Sequence, residues 1–159
     1  MDRFEQLVAM LEAGGAAFRV IAHAAEGQSE RVAAVRGTRP SQGAKAILCR
    51  VAGADRDRFV LAGVPGNARV DMKALGALFG AKKASFVQPD IAEQVTGCKR
   101  GAIPPVAFDD RVSLVADEGF LEDEPEIAFN AGRLDRSIVL DAADYKRIFA
   151  PRLARIAAA

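Results

Sequence analysis

The sequence of 159 residues predicts a mixed α+β domain. Segments with helical spacing of apolar residues are interspersed with extended, strand-like segments. Their order is irregular, which argues against the regular alternation of a doubly wound parallel sheet. The length suits one domain with a substantial core and is short for two, so we expect a single domain over residues 1–159.

Five helices are predicted from apolar spacing and flanking caps. They are expected at 4–11, ended by the glycines at 14 and 15, at 29–35, at 71–80, at 89–95, and from Asp141 onward. Pro151 should interrupt the last helix, and the alanine-rich residues after it are expected to be frayed. The acidic run 122–124 is expected to be a solvated loop.

Strands are predicted at 18–22, 44–51, 58–64, 84–87, 112–116, 127–129 and 137–140. Segments 44–51 and 58–64 are apolar on both faces, as in strands that are covered on both sides. The turn residues 53–55 between them favour an antiparallel hairpin.

Composition and charge exclude several classes of function. The net charge of +1 gives no overall attraction to a polyanion, so any contact with nucleic acid must be local. No apolar run approaches the roughly 20 residues of a membrane span, and the N-terminus lacks the apolar region of a signal peptide. Cys49 and Cys98 are too far apart in sequence to suggest a disulfide framework, and we expect reduced thiols in a cytoplasmic protein.

Most conventional catalytic motifs are also missing from the sequence. With one histidine and no C-x-x-C pair, neither a multi-histidine nor a paired-cysteine metal site is expected. The sequence contains no G-x-S-x-G elbow, no G-x-x-x-x-G-K-[ST] loop and no G-x-G-x-x-G. We therefore expect no metal and no cofactor, and an enzyme with this sequence would lack a conventional side-chain nucleophile.

The loop at 96–105, TGCKRGAIPP, is the most distinctive stretch. Gly97 suits a left-handed helix end, Gly101 is a second permissive position, and Pro104 and Pro105 fix the backbone after it. The N–H groups of 101–103 could then point at an oxyanion or a ligand carbonyl. An ordinary helix-to-strand connection remains the alternative.

Lys45 is the most informative single residue, because it starts a strand with no polar face. An ammonium there needs a partner or a ligand such as a phosphate or carboxylate; the alternative is a lysine that reaches water from the strand end. His23 follows a strand and is either structural or catalytic. Residues 130–133 are expected to form a polar corner between two strands. Small basic clusters at 82–83, 99–100 and 133–136 could line a path for a polyanion.

Three groups of residues together resemble the YbaK/ProX family of aminoacyl-tRNA deacylases. They are GAKA at 43–46, TGC at 96–98 with the G-x-x-x-P loop at 101–105, and FNAG at 129–132. The resemblance covers about residues 4–148, and it is greatest to the free-standing YeaK-type branch, through RGT at 36–38, GAIPP at 101–105 and NAG at 130–132.

The resemblance implies a mixed, partly barrel-like β-sheet surrounded by helices, and hydrolysis of the ester of mischarged aminoacyl-tRNA. It implies that Lys45 holds the terminal phosphate or ribose, and that the terminal adenosine's own hydroxyl helps to activate water. The loop residues Gly101, Ala102 and Ile103 would contact the aminoacyl group, with Pro104 and Pro105 fixing the loop. Residues implied to border the pocket are Asn130, Gly132, His23 and Thr38.

Two other functions remain open at this point. One is a non-catalytic module that binds tRNA or an aminoacyl-tRNA synthetase, and the other is a small-molecule esterase or amidase that uses the same loop. Some family members have a different residue at 130 or 131, so the amino acid removed is left open. A partner synthetase and the oligomeric state are left open as well.

Overall fold

A computed structural model describes residues 1–53 and 58–158. Its helices are α1 (Arg3–Ala13), α2 (Ser29–Arg36), α3 (Met72–Leu78), α4 (Pro89–Thr96), α5 (Glu118–Asp123) and α6 (Ala142–Phe149). Its strands are β1 (Phe18–Ala22), β2 (Ala44–Ala52), β3 (Arg58–Pro65), β4 (Arg69–Val70), β5 (Lys83–Phe86), β6 (Val112–Asp117), β7 (Glu126–Arg133), β8 (Arg136–Asp141), β9 (Arg152–Ala154) and β10 (Ala157–Ala158). The predicted α+β class is confirmed.

The largest sheet has five strands in the order β5-β2-β3-β6-β9. β2 pairs with β3 in antiparallel register, with Lys45 opposite Val64, so the predicted pairing of these strands is confirmed. Part of the expected turn at 53–55 lies outside the described residues. β3 and β6 are parallel, as are β6 and β9, which makes the sheet mixed.

A second sheet has three antiparallel strands in the order β1-β8-β7. Its inner face packs against α1 and α6 through buried side chains such as Leu7, Leu11, Phe129 and Tyr145. A bridge between Gly43 and Ala128 links it to the start of β2. Within the described ranges the sheets stay open, so the barrel-like character expected from the resemblance does not extend to a closed barrel.

The C-terminal segment differs from the expectation of a frayed end. β10 pairs with β4, and Ile156 is buried between them and the large sheet. The Asp117 carboxylate accepts hydrogen bonds from the N–H groups of Ile156 and Ala157, at 3.0 and 3.1 Å. Alanine has a low strand propensity, so pairing with distant residues, and not local sequence, produces these strands.

Two further expectations were wrong. The acidic run at 122–124 is not only a loop, because α5 includes residues up to Asp123 and buries Phe120 and Leu121. Residues 130–133 do not form a corner, because they continue β7, with an irregular register between Asn130 and Arg133. None of the helices in the described ranges is long and apolar enough to cross a membrane.

Candidate active site

The loop after α4 has the shape that its glycines suggested. Gly97 ends the helix with φ of 73°, and Gly101 has φ of 83°, both in the left-handed region that favours glycine. The N–H of Ala102, which follows Gly101, donates to the Lys99 carbonyl at 2.9 Å. The Ala102 carbonyl accepts from the Gly132 N–H at 2.9 Å, which ties the loop to β7.

The two prolines anchor the far end of this loop in the core. Pro104 and Pro105 are both buried. The Tyr145 hydroxyl, from α6, donates to the Pro105 carbonyl at 2.6 Å. Tyr145 is itself fully buried, and burial raises the pKa of its hydroxyl. The protonated Tyr145 hydroxyl therefore fixes the Pro105 end of the loop from the core side.

The backbone of Gly101 also packs closely against the backbone of Gly27. A Cβ on Gly101 would lie 2.8 Å from the Gly27 Cα and 3.0 Å from the Gly27 carbonyl oxygen. Real Cβ atoms do not approach backbone so closely, so both the φ angle and the space require glycine at 101. Gly27 was not singled out in the sequence, since a glycine in a polar loop has no distinguishing pattern.

Two connected hollows lie beside this contact. The large hollow has a volume of about 440 Å³ and extends from Gly101 along the edge of β2 to the end of β5. The small hollow, of about 60 Å³, lies between β2, β7 and α2. Both hollows are lined by Gly27, Lys45, Ala46, Gly101 and Ile103. The structure therefore brings Lys45 and two of the predicted loop residues together.

Lys45 lies half-buried at the junction of the two hollows. Its Nζ donates to the Ala68 carbonyl, and burial lowers the pKa of the ammonium. Within the described part of the chain no carboxylate forms an ion pair with it. An ammonium has three donors, so groups remain for a ligand.

Arg36 is a second cation at the small hollow, and sequence reasoning did not select it. It is only 8% exposed, and burial lowers the pKa of its guanidinium to about 10. The guanidinium donates to the Thr38 hydroxyl, the Ser137 hydroxyl and the Ala128 carbonyl, at 3.1, 3.1 and 3.3 Å. All three acceptors are neutral, and no ion pair of Arg36 is found in the described ranges. The small hollow is therefore electropositive.

Asn130 connects Arg36 and Ser137 to the loop at 96–105. Its Nδ2 donates to the carbonyls of Glu26 and Gly101, each at 2.8 Å, and its Oδ1 accepts from the Ser137 hydroxyl at 3.0 Å. Asn130 lines the small hollow, but its amide donors are already used. Its contacts make it a residue that positions Gly101.

Other predicted site residues lie behind the hollows and do not line them. The His23 Nε2 is 2.7 Å from the Ser137 hydroxyl, and Thr38 contacts Arg36, so both touch the network from outside. Gly132 acts through its bond to the loop. Ala102 is buried with its N–H engaged, so the expectation that the N–H groups of 101–103 all face a ligand must be corrected for this residue.

The thiols do not have the character of nucleophiles. Cys98 lines the large hollow, yet burial raises its pKa to about 11, against smaller opposing effects of Arg3 and Thr96. Burial raises the pKa of Cys49 to about 12. Both therefore stay protonated near neutral pH, and a thiol in that state is a poor nucleophile. Within the described ranges no cluster of three or more acidic, histidine or cysteine side chains could hold a metal.

Sequence reasoning missed Arg36, Ser137 and Gly27. Arg36 lies in the R-G-T motif, but nothing in the sequence indicates that its side chain turns inward. Ser137 appears as one residue of an apolar strand, and a buried polar residue there is the one signal that could have drawn notice. These contacts depend on residues 90 or more positions apart.

Comparisons with known proteins identify the family of this chain. Residues 23–148 match the family described as the aminoacyl-tRNA editing domain. The chain is 44% identical over 149 residues to the multifunctional Ser/Thr-tRNA deacylase ProXp-y of Escherichia coli K12, covering 94% of this chain and 89% of that protein.

Two solved structures have the same fold at low sequence identity to this chain. One is a putative trans-editing enzyme for prolyl-tRNA synthetase, with a TM-score of 0.80 at 19% identity, covering 100% of this chain and 99% of the other. Another is a hypothetical protein, with a TM-score of 0.85 at 18% identity, covering 96% and 99%. These two likenesses establish the fold, while the family match and the 44% identity establish membership. The resemblance seen in the sequence is thus confirmed: the chain belongs to the aminoacyl-tRNA editing domain family and is an enzyme of the aminoacyl-tRNA deacylase class.

Proposed function

We propose that this chain is a trans-editing deacylase, formed by one domain, that hydrolyses the ester of mischarged aminoacyl-tRNA in the joined hollows described above. The observation that carries the proposal is the placement of Lys45 and Gly101 on the walls of the same hollows. A positive group and a stiff main-chain turn are the two features that an acylated nucleotide requires.

In this proposal, Lys45 binds the phosphate or ribose of the terminal nucleotide. Its ammonium is held at a defined position by the Ala68 carbonyl and has donors left over. Arg36 adds positive potential from below without facing the solvent. Attraction between these cations and a phosphate is strong because the site is partly desolvated.

The Gly101–Pro105 loop positions the aminoacyl carbonyl. Gly101 and Ile103 line both hollows, so their main-chain groups are the candidates for contact with the ester and the developing oxyanion. The protein supplies position and charge, while a hydroxyl of the terminal adenosine helps to activate water. Such a reaction needs no side-chain nucleophile, in keeping with the protonated thiols.

The amino acid side chain enters the small hollow. Its volume of about 60 Å³ has room for a few atoms only, and glycines and alanines form much of its wall. The similar protein from Escherichia coli is named a Ser/Thr-tRNA deacylase. We therefore propose seryl and threonyl esters on non-cognate tRNA as the first substrates. Association with a synthetase, as the name of the prolyl-tRNA trans-editing neighbour suggests, remains a further part of the proposal.

The test is a deacylation assay with purified protein across a panel of mischarged tRNAs. We expect the wild type to hydrolyse the esters of amino acids with small side chains. In Lys45→Ala the rate of deacylation should fall by at least about 100-fold, since a charge-assisted contact is worth about 1.5–3 kcal/mol and positions the substrate as well. The control is Lys73→Ala, which removes an exposed lysine of α3 that lines neither hollow. Wild-type rates in Lys45→Ala, with both variants folded, would refute the role of Lys45.

A second substrate tests the part assigned to the nucleotide. Aminoacyl-tRNA ending in 2′-deoxyadenosine should bind normally and hydrolyse far more slowly. Equal rates for the two substrates would remove the proposed assistance by the terminal hydroxyl. Turnover of free aminoacyl esters at the same rate as aminoacyl-tRNA would instead indicate a general esterase.

A further inference from the structure

Phe86 is an exposed aromatic residue that the mechanism above does not use. Its relative exposure is 64%, the highest of the large hydrophobic residues in the described ranges after Met1. It ends β5 and lies opposite Cys49 of β2. Isolated exposed apolar residues are common, but Phe86 also lines the large hollow that contains Lys45 and Gly101.

The ring lies where the edge of β2 becomes open. β5 pairs with β2 only from Cys49 to Ala52, and beyond that the Val87 N–H bonds to the Leu48 carbonyl at 3.3 Å. The preceding residues of β2, back to Lys45, have no strand of the described ranges beside them on this side, and they form the floor of the large hollow. Phe86 therefore borders the open side of the large hollow. This part of the hollow is a trough that leads from Phe86 to Lys45.

Most of the surface of Phe86 is open to solvent in the described ranges. The arginine–aromatic contacts found there use Phe108, Phe59 and Phe79, and the close pair of rings is Tyr145 with Phe149. A flat apolar face is thus available at the mouth of a hollow.

The charges around the trough suit a nucleotide strand. Lys45 and Arg100 line it, against one carboxylate, Glu93, so the local balance is positive although the chain as a whole is nearly neutral. The volume of about 440 Å³ is several times that of the small hollow assigned to the amino acid side chain. An aromatic face in a groove that is also lined by cations is the arrangement by which proteins bind single-stranded nucleic acid.

We propose that Phe86 is a stacking platform for a nucleobase of the single-stranded 3′ end of the acylated tRNA, with Arg100 and Lys45 contacting the adjacent phosphates. The inference rests on the proposed function, because it places the same substrate in the same trough. It adds a binding subsite that recognises the nucleic acid and not the amino acid. The stacked base is either the terminal adenine or the cytosine before it, and both offer the same π-face.

Binding of stable analogues separates these two sources. The probes are serine joined by an amide to 3′-amino-3′-deoxyadenosine, the same compound extended by one 5′ cytidine, and the same compound extended by two. Their dissociation constants are measured by calorimetry for the wild type, Phe86→Ala, Phe86→Tyr and Leu153→Ala. Leu153 is the matched control because it is an exposed apolar residue, 44% exposed, on β9 at the opposite edge of the same sheet.

We expect Phe86→Ala to weaken binding by about tenfold, as loss of one stacking side chain does, while Phe86→Tyr and Leu153→Ala bind like the wild type. A loss already present with the adenosine compound assigns the platform to the terminal adenine. A loss that begins with the added cytidine assigns it to that base.

Equal affinity of Phe86→Ala and wild type for all three compounds overturns the proposal, and would leave Phe86 to contact a protein partner. Absence of measurable binding by the folded wild type overturns it as well. The measurement is independent of hydrolysis. Phe86-dependent binding by a protein that deacylates no tRNA would refute the proposed function and keep the platform, while deacylation unaffected by Phe86→Ala at subsaturating tRNA would do the opposite.

Discussion

Substitution of Gly101 by alanine should disable the loop for two separable reasons. The φ angle of 83° costs a residue with a Cβ about 1–2 kcal/mol. The added Cβ would meet the Gly27 Cα at 2.8 Å and its carbonyl oxygen at 3.0 Å, and overpacking of this kind costs about 1–3 kcal/mol. Together the native loop conformation loses about 2–5 kcal/mol, with no flexible side chain that could move aside.

Gly80→Ala isolates the first of these effects. Gly80 has φ of 61°, and nothing lies within 4 Å of an added Cβ. We expect the free energy of unfolding of this control to fall by about 1–2 kcal/mol and its activity to stay unchanged.

For Gly101→Ala, kcat/KM for seryl-tRNA deacylation should fall by at least about 30-fold, because 1.4 kcal/mol corresponds to a factor of ten. Urea unfolding, followed by far-UV circular dichroism, gives the stability of both variants. Normal activity in Gly101→Ala, or an equal loss in Gly80→Ala, would refute the argument from the Gly27 contact.

Two further predictions concern groups around the same loop. Tyr145→Phe removes the hydroxyl that holds the Pro105 carbonyl, so a buried acceptor loses its partner; we expect a loss of about 1–3 kcal/mol in urea unfolding and a lower kcat. Unchanged stability would show that the carbonyl finds another donor. Cys49→Ser and Cys98→Ser should retain most activity, and iodoacetamide at pH 8 should leave the native thiols unmodified, since their raised pKa values keep them protonated. Inactivation by either substitution in a folded protein, or by alkylation, would restore thiol chemistry as an explanation.

The sequence predicted the elements whose signals are local. Asp71 and Asp141 cap helices by accepting from the N–H groups of Ala74 and Asp144, as their positions before apolar spacing suggested. The apolar segments of β2 and β3 were recognisable because both of their faces are covered. The short strands β9 and β10 were missed because their pairing depends on Asp117 and β4, which are far away in sequence.

The candidate site shows the same division. Gly97, Gly101 and the two prolines were visible because backbone conformation leaves a trace in residue type. Lys45 was recognisable as a charged residue in an apolar strand. The resemblance supplied Asn130 as a site residue, but not the fact that its amide holds two carbonyls. Arg36 carries no local signal, since an arginine at a helix end is usually exposed. Its burial is decided by neutral acceptors on β7 and β8.

The burial of Arg36 indicates where stability and function compete. A base whose pKa is lowered by folding is held less well in its charged form by the folded protein than by the unfolded chain. The guanidinium therefore opposes folding at every pH below about 10, which includes neutral pH. Three neutral acceptors offset part of this destabilisation, and no carboxylate in the described ranges pairs with Arg36 to offset the rest. The oxyanion that develops on the ester carbonyl, beside Gly101 and Ile103 where the two hollows meet, would supply the missing negative charge. The unfavourable free energy of the empty site would then become part of the affinity for an anionic ligand. The bound anion would stabilise the charged guanidinium in place of the water that burial removed.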